Sequence, residues 1–356
     1  MRKWLLCLLV MALFLLLCCG CASSEAERGT NFTKSEETFM PKIIHNPVIR
    51  GEGASPRDPW VILHEGMYYH CFSRGGSVWV NRVESLNDLD NGGEVSVYTP
   101  PEGTAYSKEL WAPELHFLDG RFYIYVACDD GENANHRMYV LEGTDDPLAP
   151  FAFVGKITDP TDRWAIDGTV IEWEGNRYFV WSGWEGTENV AQNLYIARMD
   201  SPTSICSERV LLSAPKYAWE KAGGDGKNLP YVNEGPEGLT HGGRLHIVYS
   251  AAGSWCNDYC LGMLSLREGG DPMCPDDWEK AAVPVFSRNE NAKGPGHCSF
   301  TTVTDAAGKV EDYILYHAFD EDASFGWDSV SARAQRFSWQ GDSPVFGNPA
   351  PLDAAD

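Results

Sequence analysis

From residue 43 onward, apolar and polar positions follow no helical period. Short runs of β-branched and aromatic residues recur instead, at 60–63, 67–72, 121–126, 177–181, 244–249 and 313–317. Gly, Asp and Asn turns separate them, and Asp119-Gly120, Gly175-Asn176 and Gly242-Gly243 have the chemistry of tight hairpins. The pattern predicts an all-β chain.

The runs repeat as a unit. A strand opens on Pro or an acidic residue, a turn follows, and an aromatic strand ends in Ser, Ala or Cys. Copies start at Asp58, Ala112, Ile166, Glu234 and Gly296, and further strands follow them, for example at 77–81, 137–141, 193–198 and 261–265. Asp58, Glu114, Asp167, Glu234 and His297 stand at the heads of the copies, spaced by 56, 53, 67 and 63 residues. A repeat of this length with three or four strands predicts a β-propeller blade, and five copies predict a five-bladed β-propeller over residues 43–356. The innermost strand of each blade lines the central channel, so the five heads should ring one pocket.

The segment before residue 43 reads differently. Arg2 and Lys3 precede an apolar run, 5–17, that is too short to span a bilayer and ends in Cys18-Cys19-Gly20-Cys21. This resembles a bacterial lipoprotein signal over residues 1–21, with Cys21 lipidated after cleavage; an ordinary cleaved signal peptide is the alternative. Residues 22–42 are polar and read as a flexible tether. The expectation is an exported protein, anchored at the cell surface or in the periplasm. Seven cysteines follow the signal, an odd number in no zinc spacing, and at most one pair is expected among Cys256, Cys260 and Cys274.

Composition narrows the function. A formal net charge of −23 excludes a nucleic-acid partner, since phosphate binding needs a basic face. Thirteen Trp suit flat contacts with sugar rings, although β-proteins use aromatics freely. Carboxylates clustered at strand heads raise one another's pKa, as a general acid near neutral pH requires. Glycoside cleavage needs one protonated carboxylic acid and one ionised carboxylate. Asp58, Asp167 and Glu234 can supply both, with the third tuning the acid.

The motifs Ser55-Pro56-Arg57-Asp58-Pro59-Trp60, Trp111-Ala112-Pro113-Glu114, Ile166-Asp167-Gly168-Thr169, Asn233-Glu234-Gly235-Pro236 and Gly294-Pro295-Gly296-His297-Cys298-Ser299 resemble the blade motifs of glycoside hydrolase family 43. The resemblance covers about residues 43–350. It implies an inverting hydrolase with Asp58 as general base, Glu234 as general acid and Asp167 as the carboxylate that tunes the acid. Base and acid would stand roughly 6.5–9.5 Å apart to admit water. It also implies an ion, often calcium, near His297, reached mostly through water; a channel histidine without metal is the alternative. No cofactor is expected for the chemistry. The expected partner is an arabinose- or xylose-containing polysaccharide or oligosaccharide, and the expected state is a monomer.

Other residues enter as expectations. Trp60, Trp111 and Trp184 could stack on sugars, with core packing competing at each. Arg333, in a segment resembling the closing blade of arabinofuranosidase-like members, could bridge to a catalytic carboxylate or a sugar hydroxyl; Val330 departs from that pattern. Glu237, three residues after Glu234, should face the opposite side of its strand. Glu114 is expected to be structural or to accept a sugar hydroxyl. No further β-sandwich is expected after the last blade, which favours removal of α-L-arabinofuranosyl residues. The alternatives are a β-xylosidase or endo-arabinanase, a non-catalytic sugar-binding lipoprotein, or a retaining fructan-cleaving propeller.

Overall fold

A computed structural model describes residues 43–352 except 52, 306, 321 and 323–328. The signal, Cys21, the tether and the start of the closing segment around Trp327 lie outside the described residues. The remainder is a five-bladed β-propeller. The first blade is β1 (Trp60–His64), β2 (Met67–Arg74), β3 (Ser77–Val83) and β4 (Val95–Tyr98). The second is β5 (Lys108–Leu118), β6 (Arg121–Asp129), β7 (Arg137–Glu142) and β8 (Ala152–Lys156). The third comprises β9 (Ala165–Trp173), β10 (Asn176–Gly183) and β11 (Ala191–Ser201), with β12 (Ser204–Ile205) and β13 (Val210–Ser213) on its outer side. The fourth is β14 (Tyr231–His241), β15 (Arg244–Ala251), β16 (Cys260–Leu266) and β17 (Trp278–Lys280). The fifth is β18 (Lys293–Thr304), β19 (Val310–Phe319) and β20 (Val330–Arg336), followed by the hairpin β21 (Ser338–Gln340) and β22 (Ser343–Val345).

The second strand of each blade is apolar almost throughout because both its faces are covered. On β2, Tyr69 and Cys71 pack toward the second blade, while Tyr68 and Phe72 pack toward the fifth. On β6, Phe122, Ile124 and Val126 face the first blade, and Tyr123, Tyr125 and Ala127 face the third. Period-two alternation therefore sorts side chains between two cores instead of between core and solvent. Each of the five interfaces between neighbouring blades holds its own buried cluster. A core at every interface is what a closed ring requires.

The chain closes that ring with its own beginning. The N–H of Val48 donates to the Ala332 carbonyl, and the Ala332 N–H donates to Ile49, both at 2.9 Å. Asn46, buried, holds Ala334 on both sides: Nδ2 donates to its carbonyl and Oδ1 accepts its N–H, each at 2.8 Å. Residues 46–49 thus cover the free edge of β20, which would otherwise be exposed for pairing.

The inner strands share one backbone device. Asp58, Ala112, Asp167, Gly235 and His297 have φ of 50°, 39°, 51°, 51° and 49°, in the left-handed region. On β5, β9, β14 and β18 this residue sits at a register shift, where two residues oppose one on the neighbouring strand. The true repeat therefore aligns Asp58-Pro59-Trp60, Ala112-Pro113-Glu114, Asp167-Gly168-Thr169, Gly235-Pro236-Glu237 and His297-Cys298-Ser299. Two heads read from the sequence are corrected by it. Glu114 is the counterpart of Glu237, two residues below the turn, and Glu234 stands one residue above it.

Asn46→Ala leaves the N–H and carbonyl of Ala334 buried without partners. It should lower the unfolding free energy by about 2–3 kcal/mol. Urea denaturation followed by Trp fluorescence reads this, and a change below about 0.5 kcal/mol would contradict the closure described.

Candidate active site

The five left-handed residues turn the channel mouth into a funnel. A cavity of about 690 Å³ opens there, lined by Asp58, Asp167, Glu234 and His297. Its wall rises through the residues above the turn, Arg57, Trp111 and Ile166, to Glu109 and Trp164. Three carboxylates from three blades thus meet in one concavity.

Their environments differ. Asp58 Oδ1 lies 3.1 Å from His297 Nδ1, and the Asp58 N–H donates to His317 Nδ1 at 3.2 Å. Burial works to raise the Asp58 carboxyl, but the charges of His297, chiefly, and Arg57 oppose it, and the carboxyl is held well below the usual carboxylate range. The His297 imidazole is raised: burial opposes its charge, and Asp58, Asp167 and Glu114 outweigh burial. Asp58 and His297 therefore stand as an ion pair. His317 is lowered, chiefly by burial, and stays neutral.

The other two carboxyls are raised. Desolvation is the main cause for Glu234, pushed up to about 8, with the charge of Asp58 adding to it and a hydrogen bond from Tyr259 opposing it. Desolvation also leads for Asp167, helped by Glu234 and Asp58 and opposed by His297 and the Gly235 N–H. That N–H donates to Asp167 Oδ2 at 3.1 Å, and Tyr259 Oη donates to Glu234 Oε1 at 2.8 Å. Asp167 and Glu234 titrate as a pair, and the pair keeps a proton at neutral pH. The site thus holds one ionised carboxylate opposite a proton-bearing pair.

Tyr259 and His317 were not singled out from the sequence. The Tyr259 ring stacks on His317 with centroids 5.7 Å apart and planes 9° apart. This buried stack connects the residue that holds Glu234 to the one that holds Asp58. A Cβ at Gly296 would lie 2.3 Å from the Tyr259 ring, so only glycine leaves room for it. Glycine opposite a buried tyrosine was the available signal, and it needs the blade register to be read.

Glu237 also departs from expectation. The register shift between Glu234 and Glu237 returns its side chain to the channel, where it hydrogen-bonds Glu114. Burial, with the charges of Glu114 and Asp167, pushes Glu237 far above its ordinary value, so it is neutral. Glu114 in turn meets His116 Nε2 at 2.9 Å. This pair forms the layer below the three carboxylates, with Trp60, Thr169 and Ser299 as its counterparts.

The aromatic expectations divide. Trp111 lines the cavity, its ring stacked on His136 at 4.0 Å and its Nε1 donating to Glu109 Oε2 at 3.2 Å. Trp184 is buried behind Trp164, stacked at 4.8 Å, and Trp164 presents the indole that lines the cavity. Trp60 belongs to the lower channel, packed on His116 with Nε1 donating to the Leu115 carbonyl. Arg333 is fully buried on β20 and ties together the segments flanking the fifth blade: Nη1 donates to the carbonyls of Asn291 and Ala350, and Nη2 to Asp320. It reaches neither a carboxylate of the funnel nor the cavity wall. Trp255 also lines the cavity, its Nε1 donating to the Gly223 carbonyl at 2.9 Å.

Two further expectations meet the structure here. All seven described cysteines are free thiols, Cys256, Cys260 and Cys274 included. Cys260 is buried within β16, while Cys256 precedes that strand and Cys274 lies in the turn beyond it. For calcium, no group of three or more His, Cys, Asp or Glu among the described residues is arranged to hold an ion.

Comparison with known proteins agrees with this geometry. The family model described as glycosyl hydrolases family 43 matches residues 44–344. The extracellular exo-α-(1→5)-L-arabinofuranosidase of Streptomyces avermitilis is 32% identical over 306 residues, 82% of this chain and 61% of that protein. Alpha-L-arabinofuranosidase 43 of Humicola insolens is 31% identical over 313 residues, 83% of this chain and 62% of that protein. The chain thus spans about three fifths of the length of these curated relatives. Among solved structures, an α-L-arabinofuranosidase from Lactobacillus brevis superposes with a TM-score of 0.77 at 31% identity, covering 87% of this chain and 98% of that one. A thermostable family-43 glycoside hydrolase shares the fold at 22% identity, with a TM-score of 0.67 and coverage of 88% and 99%.

The raised Glu234 carries a stability cost with a definite sign. Between 4.5, its ordinary value, and about 8, the folded protein holds a proton that the unfolded chain has released. Stability therefore falls as pH rises through this window. Glu234→Gln, neutral throughout, should be more stable than the parent at pH 8 by more than about 1 kcal/mol, with the gap closing toward pH 4.5. Urea unfolding at both pH values tests this, and a gap independent of pH would contradict it.

Proposed function

The chain belongs to glycosyl hydrolases family 43, and from that premise we propose that it is an inverting α-L-arabinofuranosidase acting on arabinan- or arabinoxylan-type polysaccharides or their oligosaccharides. The observation that carries this reading is the asymmetry of the funnel. Asp58 is held ionised by His297, and Glu234 is held protonated by desolvation in the same cavity. The relatives that match most of this chain, named as arabinofuranosidases, support the choice of sugar.

In the proposed reaction, Asp58 takes a proton from a water molecule as that water attacks the anomeric carbon. Glu234 gives its proton to the departing glycosidic oxygen as the C–O bond breaks. Asp167 is the tuner: it shares the proton of the coupled pair with Glu234, and the Gly235 N–H fixes its carboxyl beside the acid. No cofactor takes part. A purely sugar-binding role gives no reason to bury three carboxyls around one axis, since their mutual repulsion would only weaken the fold.

We also propose that the protein is exported, with residues 1–21 as signal and Cys21 as the lipid attachment point. The extracellular Streptomyces relative supports the export reading alone.

Purified protein should release arabinose from aryl α-L-arabinofuranoside and from arabino-oligosaccharides, with much slower turnover of xylosides. Proton NMR of the first product should show the inverted anomer. Asp58→Asn should lose at least about 10²-fold in rate on every substrate, whereas Glu234→Gln should lose most on poor leaving groups. Retention of configuration, or full activity of Asp58→Asn, would overturn the assignment.

A further inference from the structure

The cavity wall beside the acid carries polar groups that no role above uses. Gln192 is 8% exposed, and its side-chain Oε1 has no hydrogen-bond partner among the described residues. Asn189, three residues earlier, leaves its Oδ1 buried and unpartnered as well. Both line the cavity. Leaving such groups unmet in the folded protein costs free energy, and sites that tolerate it commonly satisfy them with a ligand. Each amide offers a donor and an acceptor on adjacent atoms, whichever way it is turned. That suits neighbouring hydroxyls on a neutral sugar.

Their position gives the sugar a place. Gln192 is the second residue of β11, where that strand pairs in parallel with β14, and stands opposite Val232, two residues before Glu234. The amides therefore stand on the acid's side of the funnel, between the third and fourth blades. Asp58 approaches from the first blade, across the channel. The acid's proton goes to the leaving oxygen, so the groups flanking the acid flank the leaving group. Beside the amides, Asn228, Leu229 and Pro230 also line the cavity, and the next residue, Tyr231, donates its N–H to the Val190 carbonyl at 3.2 Å. That loop is already set: Asp225 Oδ1 accepts the N–H groups of Lys227 and Asn228 at 2.8 Å and of Leu229 at 3.1 Å.

We propose that Gln192 and Asn189 form the recognition site for the leaving-group sugar, reading its hydroxyls and selecting glycosides whose leaving group is itself a sugar. This rests on the hydrolase reading above and extends it from the bond cleaved to the unit beyond that bond. A slot of fixed loop and unpartnered amides disfavours a leaving group without hydroxyls, because the amides then stay unpaired.

The test compares kcat/KM for an arabino-oligosaccharide with that for 4-nitrophenyl α-L-arabinofuranoside, whose leaving group has no sugar hydroxyls. Gln192→Leu and Asn189→Ala are measured beside the parent protein. The ratio of oligosaccharide to aryl glycoside should fall about tenfold or more in Gln192→Leu, and in the same direction in Asn189→Ala. Turnover of the aryl substrate reports that each variant is folded. A ratio within about twofold of the parent in both variants overturns the proposal. Parent protein that cleaves neither substrate instead overturns the hydrolase reading.

Discussion

Everything at the funnel depends on a left-handed backbone turn repeated in five inner strands. At Asp58, Ala112, Asp167 and His297 this turn is made by residues with a side chain, for which it costs about 1–3 kcal/mol each. In return it bends each strand at the channel mouth and aims the residue at the turn, and the one above it, into a common space. Such strain persists only where the surroundings over-determine it. Here they do so through five interface cores and residues 46–49 covering β20 through Asn46. Below the funnel, the same inner strands bring Glu114 and a neutral Glu237 together in a shared hydrogen bond.

From this geometry the division of labour among like groups follows. Three carboxyls brought into one concavity cannot all ionise at neutral pH. The imidazolium of His297 decides which one does, because its Nδ1 lies against Asp58 Oδ1. Asp167 and Glu234, more deeply desolvated, keep a proton between them. Tyr259 and His317 then act as one stacked brace whose ends hold Glu234 and Asp58. The order is strain first, convergence second, and separation of pKa third.

The architecture was legible in the sequence because a propeller repeats. The run of an acidic or Pro-opened strand, a turn and an aromatic strand recurs five times, and each copy is a blade. The catalytic trio was legible through the motifs around Asp58, Asp167 and Glu234. The register within the repeat is not legible from the acidic residues, because the bulge sets Glu114 and Glu234 at different levels of their strands. Aligning Pro59, Pro113 and Pro236 instead pairs Glu114 with Glu237, and both then belong to one layer. Glu237 was placed on the wrong face for the same reason: simple alternation fails across a bulge. Trp184, Trp60 and Arg333 share another limit. Sequence shows that a Trp or Arg is present, but only the packing shows that Trp164 stands in front of Trp184 or that Arg333 is consumed by the carbonyls of Asn291 and Ala350. Tyr259 lay outside every motif, since its partner Gly296 is one strand away in the next blade.

The central claim is that a buried Glu234, braced by Tyr259, is the proton donor opposite an ionised Asp58. The most direct measurement is the pH dependence of kcat/KM for the parent protein and Tyr259→Phe. Asp58, Asp167 and His297 line the cavity with Glu234, and among the described residues Tyr259 alone donates a hydrogen bond to its carboxylate. The parent should lose activity as pH rises through about 8, as Glu234 deprotonates. Removing the phenol withdraws support from the ionised form, so the alkaline limb should move upward while the acid limb, set by Asp58, stays in place. An alkaline limb unmoved by Tyr259→Phe, or an acid limb displaced as far as the alkaline one, would contradict the account.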